Sequence, residues 1–152
     1  MQYLGYNYRI TDIQCALAIS QMDKIDLFLD ARRSMVKVYD KAFKDIPNIT
    51  PLQAHGRDNS SHHIYVVSID FDKIGMTRHQ FMEKLAEQGV GSQVHYIPVV
   101  SQPYYQELGY KIQQYSITDT YYQSTLSIPL YYGLSDVDQR LVTSSIRKLL
   151  GK

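Results

Sequence analysis

The feature that most constrains the fold of this chain is a long amphipathic pattern between residues 11 and 46. Thr11 and Gln14 have the spacing of a capping box, so a helix is expected to begin at Thr11. Apolar side chains then recur near the 3.6-residue helical period, at Ile13, Leu17, Ile25, Phe28, Leu29, Val36, Tyr39 and Phe43. Pro47 ends the pattern because proline disfavours helical geometry in the residue before it. The sequence predicts one helix of roughly 50 Å, long enough to bridge two lobes or two subunits.

After this helix, the sequence predicts short strands that alternate with helices. The predicted elements are a strand at 63–71, a helix from 77 to 89, a strand at 91–98, a short helix from 103 to 109, a helical turn or two at 118–125, a strand at 126–130 and a helix from 135. The last helix should bury an apolar stripe, formed by Val137, Leu141, Val142, Ile146, Leu149 and Leu150. This order predicts an α/β (α+β two-layer) fold, with residues 1–152 as a single domain in which helices flank a small sheet.

Composition narrows the classes of function. The net charge is only +1, with both signs interspersed, which argues against partners such as nucleic acid or an anionic membrane. Apolar runs are too short for a spanning helix, and no signal-peptide h-region follows Met1, so neither a membrane span nor a signal peptide is expected. A single cysteine, Cys15, fits a reducing, cytoplasmic setting and is interpreted as a packed residue. The 14 tyrosines, against 4 phenylalanines, suit an interface or a sugar-lined cleft.

The first candidate site is the loop that precedes the long helix. Gly5, Asn7 and Arg9 stand just before the predicted helix N-terminus, where backbone N–H groups and the helix dipole favour an anion. This arrangement is typical of a loop that contacts phosphate or carboxylate. Most capped helices bind no ligand, however, so both interpretations stay open on the residues alone.

Two histidine positions are the other candidates. His62 and His63 are adjacent, so in a strand they would point to opposite sides and could not bind one metal ion together. No metal site is therefore predicted. His95 and Tyr96 lie on a predicted strand, before a loop rich in hydrogen-bonding groups, and they suit a sugar or carboxylate site. The alternative is a structural histidine whose ring is satisfied locally.

A resemblance to a known family then adds to these observations. The run Gly5-Tyr-Asn-Tyr-Arg-Ile-Thr-Asp-Ile-Gln-Cys-Ala-Leu-Ala-Ile-Ser-Gln21 resembles the G-x-N-x-R-x-x-[DE]-x-Q-A-A-x-x-x-x-Q signature of the DegT/StrS-type sugar aminotransferases. Later segments agree in the same order, namely 63–66, 91–99 with 102–105, and 126–130. Within the family, the segment 93–105 is most similar to the pseudaminic-acid-pathway transaminases, which aminate C4 of a UDP-linked 4-keto-6-deoxy sugar.

The resemblance implies the small C-terminal domain of a fold-type I enzyme that uses pyridoxal phosphate. The large N-terminal domain of that family, which carries the cofactor-binding lysine, is expected to be absent from residues 1–152. No catalytic residue is therefore expected in this chain, and we do not expect it to retain the cofactor alone. By position, Asn7 matches an asparagine that reaches the cofactor phosphate of the other subunit of a homodimer, and Arg9 matches the signature arginine of the same loop. His95 and Tyr96 match positions that line the sugar pocket.

The function implied is amino transfer, with glutamate as donor, to a UDP-sugar in the synthesis of cell-surface glycans. Met1 directly before the signature is expected to mark a truncated gene product or a remnant of a split gene. Two other interpretations stay open. One is a stand-alone module that binds a nucleotide sugar without catalysis, and the other is a domain that uses the long helix for dimerisation.

Overall fold

The computed structural model describes residues 5–6, 8–52 and 59–151. Its helices and strands, in chain order, are α1 (Asp12–Met22), α2 (Ile25–Phe43), β1 (Ile49–Pro51), β2 (Tyr65–Ile69), α3 (Arg78–Glu87), α4 (Pro103–Glu107), α5 (Ser116–Ser124), β3 (Thr125–Ile128) and α6 (Asp136–Leu149). Short 3₁₀ turns lie at Val99–Ser101 and Ile112–Gln114. No helix among the described residues is both long and apolar enough to cross a membrane.

Local capping places the predicted helix starts correctly. The Thr11 side chain accepts a hydrogen bond from the Gln14 N–H, and the Gln14 side chain accepts one from the Thr11 N–H. Thr77 and Gln80 form the same reciprocal pair at the start of α3. Ser135 caps α6 by accepting from the Asp138 N–H. These motifs occupy N–H groups that the first turn of a helix leaves without intrahelical partners.

The prediction of one continuous helix between 11 and 46 is wrong. The chain leaves helical geometry at Lys24, where φ is −108° and ψ is 1°, and a second helix begins at Ile25. The Lys24 N–H bonds to the Gln21 carbonyl, three residues back, instead of four. α1 has no buried residue, whereas α2 buries one face. Because no packing holds α1 on the axis of α2, the exposed Asp23–Lys24 step can bend.

The sheet has three antiparallel strands in the order β1-β2-β3. Ile49 pairs with Ile69 across the first ladder, and Val67 pairs with Leu126 across the second. All four side chains are buried, because paired residues share one face of a sheet and this face meets the helices. Strands β2 and β3 occupy regions predicted as strands, whereas β1 was not predicted.

Helices α2, α3 and α6 cover that apolar face and close the core. The buried apolar side chains are Met35, Val36, Tyr39, Phe43, Ile46, Ile49, Tyr65, Val66, Val67, Ile69, Phe81, Leu85, Val90, Leu126, Ile128, Leu130, Val142, Ile146 and Leu150. The Gln139 side chain of α6 donates to the Met35 carbonyl of α2 at 2.8 Å, which ties the two helices together. The predicted two-layer fold of helices on a small sheet is confirmed.

Two other predictions are wrong. Residues 91–98 do not form a strand, since Gln93 alone pairs with Ser127 through two backbone hydrogen bonds. Pro98, next to a 3₁₀ turn, lacks the N–H that a continuing ladder would need. In α6 the predicted stripe is displaced, because Val137 and Leu141 are exposed and Gln139 takes a buried position instead.

The second face of the sheet carries hydroxyl groups. Thr50, Ser68 and Thr125 form a row across the three strands, because Thr50 pairs with Ser68 and Ser68 with Thr125. Ser127 lies on the same face, two residues along β3 from Thr125. This polar face holds the candidate site.

Candidate functional site

His95 is held against the hydroxyl-bearing face of the sheet. Its Nδ1 lies 2.8 Å from the Ser127 Oγ, within hydrogen-bond distance. The backbone pair between Gln93 and Ser127, with N···O distances of 3.0 and 2.8 Å, fixes the approach of this segment to β3. The imidazole is half-buried, so one side is anchored in the fold and the other is open to a ligand.

Tyr96 lies beside His95 but points outward. The two rings are 4.6 Å apart between centroids and nearly perpendicular, at 87°. Tyr96 is 74% exposed, so its phenol can meet a ligand or another chain but contributes little to the core. The structure thus brings together the two residues predicted to bind substrate, with His95 as the better fixed of the pair.

Further tyrosines follow Pro98 in the chain. The Tyr104 and Tyr105 rings meet edge to face, with centroids 5.4 Å apart, and Tyr105 contacts Tyr110 in the same way at 6.1 Å. All three are exposed. They form the tyrosine cluster, defined here as Tyr104, Tyr105 and Tyr110, which presents apolar ring edges together with hydroxyl groups. Such a surface suits contact with a sugar, a base or a second protein surface.

The predicted cofactor-binding loop is only partly described. Asn7 lies outside the described residues, and Arg9 is exposed on the loop before α1. At the start of α1, the Thr11 and Gln14 side chains already occupy each other's N–H groups. The assignment of Asn7 and Arg9 to cofactor binding therefore stays a prediction.

The adjacent histidines lie in different environments. His62 is buried and His63 is exposed, and both precede β2 without being part of it. Within the described ranges, no three His, Cys, Asp or Glu side chains come close enough to hold a metal ion together. Cys15, on α1, is half-buried.

The lysines bear on the prediction that this chain lacks the cofactor-binding residue. Every lysine among residues 5–6, 8–52 and 59–151 has an exposed side chain. A lysine that forms a bond with pyridoxal phosphate is activated in a desolvated site or beside another cation. The absence of a catalytic residue stays a prediction, because the described residues do not test activity.

A wide groove in the described part of the chain is not centred on His95. It lies between the end of β2, the start of α3 and α5, and its lining includes Ser68, Asp70, Lys73, Arg78 and Asp119. The Lys73 ammonium, 2.8 Å from the Asp70 carboxylate, helps hold the pKa of that carboxyl below its usual range, first through this hydrogen bond and then through one from the Lys73 N–H.

Arg78 in this groove is also engaged within the chain. It donates to the Tyr122 carbonyl and stacks over the Tyr122 ring, with its Cζ 4.6 Å from the centroid. The two cations that line the groove, Lys73 and Arg78, therefore both have partners within the chain. We place the candidate site at His95, where a half-buried titratable ring meets an open surface, and not in the wide groove.

Comparison with known proteins identifies the family of the chain. A profile of the DegT/DnrJ/EryC1/StrS aminotransferase family matches residues 1–147. This chain belongs to that family. Enzymes of the family are aminotransferases that depend on pyridoxal phosphate.

Two curated members of the family match almost the whole chain. The spore coat polysaccharide biosynthesis protein SpsC of Bacillus subtilis is 34% identical over 148 residues, which is 96% of this chain and 38% of SpsC. The UDP-4-amino-4,6-dideoxy-N-acetyl-beta-L-altrosamine transaminase of Campylobacter jejuni is 32% identical over 152 residues, which is 100% of this chain and 40% of the relative. The chain thus spans about two fifths of the length of these relatives.

A solved structure of the family shares the fold. Helicobacter pylori PseC, described as an aminotransferase involved in the biosynthesis of pseudoaminic acid, superposes with a TM-score of 0.87 at 29% identity. The superposition covers 99% of this chain and 40% of PseC. The fold is therefore that of one part of a larger aminotransferase.

Proposed function

We propose that this chain is the C-terminal domain of an aminotransferase that transfers an amino group, from glutamate, to C4 of a UDP-linked 4-keto-6-deoxy sugar. The enzyme would work in the cytoplasm, on precursors of cell-surface glycans. The single observation that carries this proposal is the match over the full chain to a transaminase named for a UDP-linked dideoxy amino sugar. The similarity in fold to PseC points in the same direction.

The hydrogen-bond donors of this chain suit one part of a cofactor site but do not form a complete site. A side-chain amide at Asn7 and a guanidinium at Arg9, just before the N-terminus of α1, are suited to contact a phosphate or to hold the loop that does. No described lysine lies in a desolvated site. Pyridoxal phosphate, when bound, would supply the electron sink for amino transfer, and the large domain of the enzyme would hold most of it.

In this proposal, His95 and Tyr96 contact the sugar nucleotide. The half-buried imidazole offers one ring nitrogen toward the surface, and the exposed phenol of Tyr96 offers a hydrogen-bonding group beside it. Both groups bind and orient the substrate, without taking part in the chemistry that the cofactor supports.

The substrate role can be tested in a full-length enzyme that contains residues 1–152. We expect His95→Ala to impair amino transfer to the keto sugar far more than loading of the amino group from glutamate. Single-turnover measurement of the two half-reactions separates these steps. The exposed histidine provides the control variant, His63→Ala. Equal damage to both half-reactions, or to neither, would contradict the proposal.

The role of Asn7 across a homodimer can be tested by subunit mixing. One full-length variant lacks the cofactor-binding lysine of the large domain and the other carries Asn7→Ala, so each homodimer is impaired. If Asn7 serves the partner's cofactor, a mixed dimer contains one intact site, and random exchange restores roughly a quarter of full activity. No recovery after verified exchange would show that Asn7 serves its own subunit.

A second candidate function is dimerisation without catalysis, which the exposure of α1 favours. None of its residues is buried, and Ile13, Leu17, Ile19 and Met22 are all more than half exposed. Apolar side chains on one exposed helix are typical of a surface that another domain or subunit covers. Sedimentation of this chain as a monomer at high concentration would count against self-association through α1.

A further inference from the structure

The inference concerns Ser127, the β3 residue that anchors His95. Ser127 is 5% exposed, and its backbone pairs with Gln93 on the outer edge of β3. Its hydroxyl oxygen lies 2.8 Å from the His95 Nδ1. One buried residue therefore holds both the backbone that leads into the candidate site and the ring that forms it.

The direction of this hydrogen bond decides which hydrogen-bonding group His95 presents. A neutral imidazole carries its proton on one nitrogen, and the bond made by the other nitrogen selects that tautomer. Among the described residues, the Ser127 hydroxyl has His95 Nδ1 as its hydrogen-bond partner. If the hydroxyl accepted from a Nδ1–H group, its own proton would lack an acceptor in a buried position, which is unfavourable. Donation from Ser127 to Nδ1 satisfies both groups.

We propose that Ser127 is a positioning residue that donates to Nδ1 and thereby holds neutral His95 in the tautomer protonated at Nε2. Within the part of the chain that the structure describes, Nε2 has no hydrogen-bond partner and the residue is half-buried, so the Nε2–H group is available as a donor to a ligand. Tyr96 packs edge to face on the same ring and limits its rotation. Resting on the proposed function, the group that accepts this hydrogen bond is an oxygen of the sugar nucleotide.

The tautomer can be measured on this chain directly. In the chain labelled with ¹⁵N at histidine, above the pH at which imidazole loses its charge, we expect His95 to show a protonated Nε2 and an unprotonated Nδ1. Ser127→Ala should release the ring to a mixture of tautomers, and Ser127→Thr, which keeps a hydroxyl, should restore the single form. The matched control is Thr125→Val, which removes a buried hydroxyl from the same face of β3 without touching His95.

The wild-type spectrum is decisive even if a variant fails to fold. A protonated Nδ1 in the wild-type chain would overturn the proposal. So would a single unchanged tautomer in folded Ser127→Ala. A mixture in Thr125→Val as large as in Ser127→Ala would show that general loosening of the strand, and not the hydroxyl, sets the tautomer.

A titration separates this inference from the proposed function. We expect UDP-N-acetylglucosamine to shift the Nε2 signal of wild-type His95, and Ser127→Ala to weaken that binding about tenfold, the loss of one hydrogen bond. If the tautomer is as stated but the nucleotide leaves Nε2 unchanged, the positioning by Ser127 holds and the assigned ligand is wrong. If the nucleotide binds but the tautomer is reversed, the positioning is wrong and the ligand stands.

Discussion

The two helical segments of the predicted long helix differ in how they are stabilised. α2 buries Met35, Val36, Tyr39 and Phe43 against the sheet and α6. α1 has a complete capping box but no buried residue. Both segments carry apolar side chains at helical spacing, and the core uses those of α2 alone. A helical pattern in the sequence therefore does not show which surface buries it.

The difference in packing between α1 and α2 predicts a difference in how much each helix contributes to the stability of the chain. Most of the stability of a helix in a protein comes from packing of its apolar face, and a helix as short as α1 is marginal in water by itself. Substitutions in α2, α3 and α6 should thus change the global stability of the chain, whereas matched substitutions in α1 should act locally. The predictions below compare the two regions on this basis, from the largest expected effect to the smallest.

The largest contrast is between two identical substitutions. Leu85 of α3 is fully buried, at 0% exposure, and Leu17 of α1 is 64% exposed. We expect Leu85→Ala to lower the free energy of unfolding by about 2–5 kcal/mol, and Leu17→Ala by less than about 0.5 kcal/mol. Urea denaturation followed by circular dichroism measures both. A comparable loss in Leu17→Ala would show that α1 is packed in solution.

A buried tyrosine links stability to alkaline pH. Tyr39 of α2 donates a hydrogen bond to the Pro129 carbonyl at 2.8 Å. Tyr39→Phe should cost about 1–2 kcal/mol, because that carbonyl loses its partner. Burial, reinforced by nearby Tyr131, raises the pKa of Tyr39. Its contribution is therefore complete below about pH 10, the ordinary tyrosine value, and is lost as the pH rises above it.

The measurement is a pair of denaturation series at increasing pH. The difference in unfolding free energy between wild type and Tyr39→Phe should shrink above about pH 10. The exposed phenol of Tyr104 provides the control, since Tyr104→Phe should leave this pH dependence unchanged. A constant difference between wild type and Tyr39→Phe up to pH 11 would contradict the assigned link.

The same capping motif occurs in both regions, which allows a finer test. Thr77→Ala removes the cap of α3, which packs in the core, and should lower global stability by about 1 kcal/mol. Thr11→Ala removes the matched cap of α1 and should leave the global unfolding midpoint in place. Its effect should be seen in amide hydrogen exchange, as lower protection confined to α1. Loss of protection throughout the chain would show that the two regions unfold together.

The smallest effect concerns the ion pair between Lys73 and Asp70. Lys73→Met should return the pKa of the Asp70 carboxyl toward its ordinary value. Because that pKa is lowered in the fold, the pair stabilises the chain above about pH 4 and loses its effect as the pH falls below that value. Carbon-detected NMR titration measures the shift. Lys84→Met, which changes a lysine that does not contact Asp70, should leave the titration unaltered.

The sequence predicted what local chemistry determines. The three capped helix starts at Thr11, Thr77 and Ser135 were correct, since a cap involves residues three apart. The strand predicted at 91–98 was wrong because a strand exists only where a partner pairs with it, and β3 pairs with Gln93 alone. β1 was not predicted, because a strand of three residues is too short to show an alternation of apolar and polar side chains.

The candidate site was also predicted only in the part that local sequence determines. His95 and Tyr96 were identified from residue type and resemblance, and the structure places them side by side. Ser127 was missed. It lies between Leu126 and Ile128 in a predicted strand. Because successive side chains of a strand point to opposite faces, Ser127 is placed on the face opposite the core. The sequence alone did not predict that the segment around His95 crosses that face.

The pairing of β2 with its two neighbours has a consequence for how the chain folds. The residues that pair β1 with β2, such as Ile49 and Ile69, are close together in the chain. By contrast, Val67 of β2 and Leu126 of β3 pair although they are 59 residues apart in the chain. Closing the longer loop costs about 1 kcal/mol more in chain entropy. We expect the first hairpin to form early with α2 and β3 to join after the rate-limiting barrier. Leu126→Ala should therefore speed unfolding more than it slows refolding, and Ile49→Val the reverse, which stopped-flow kinetics can measure.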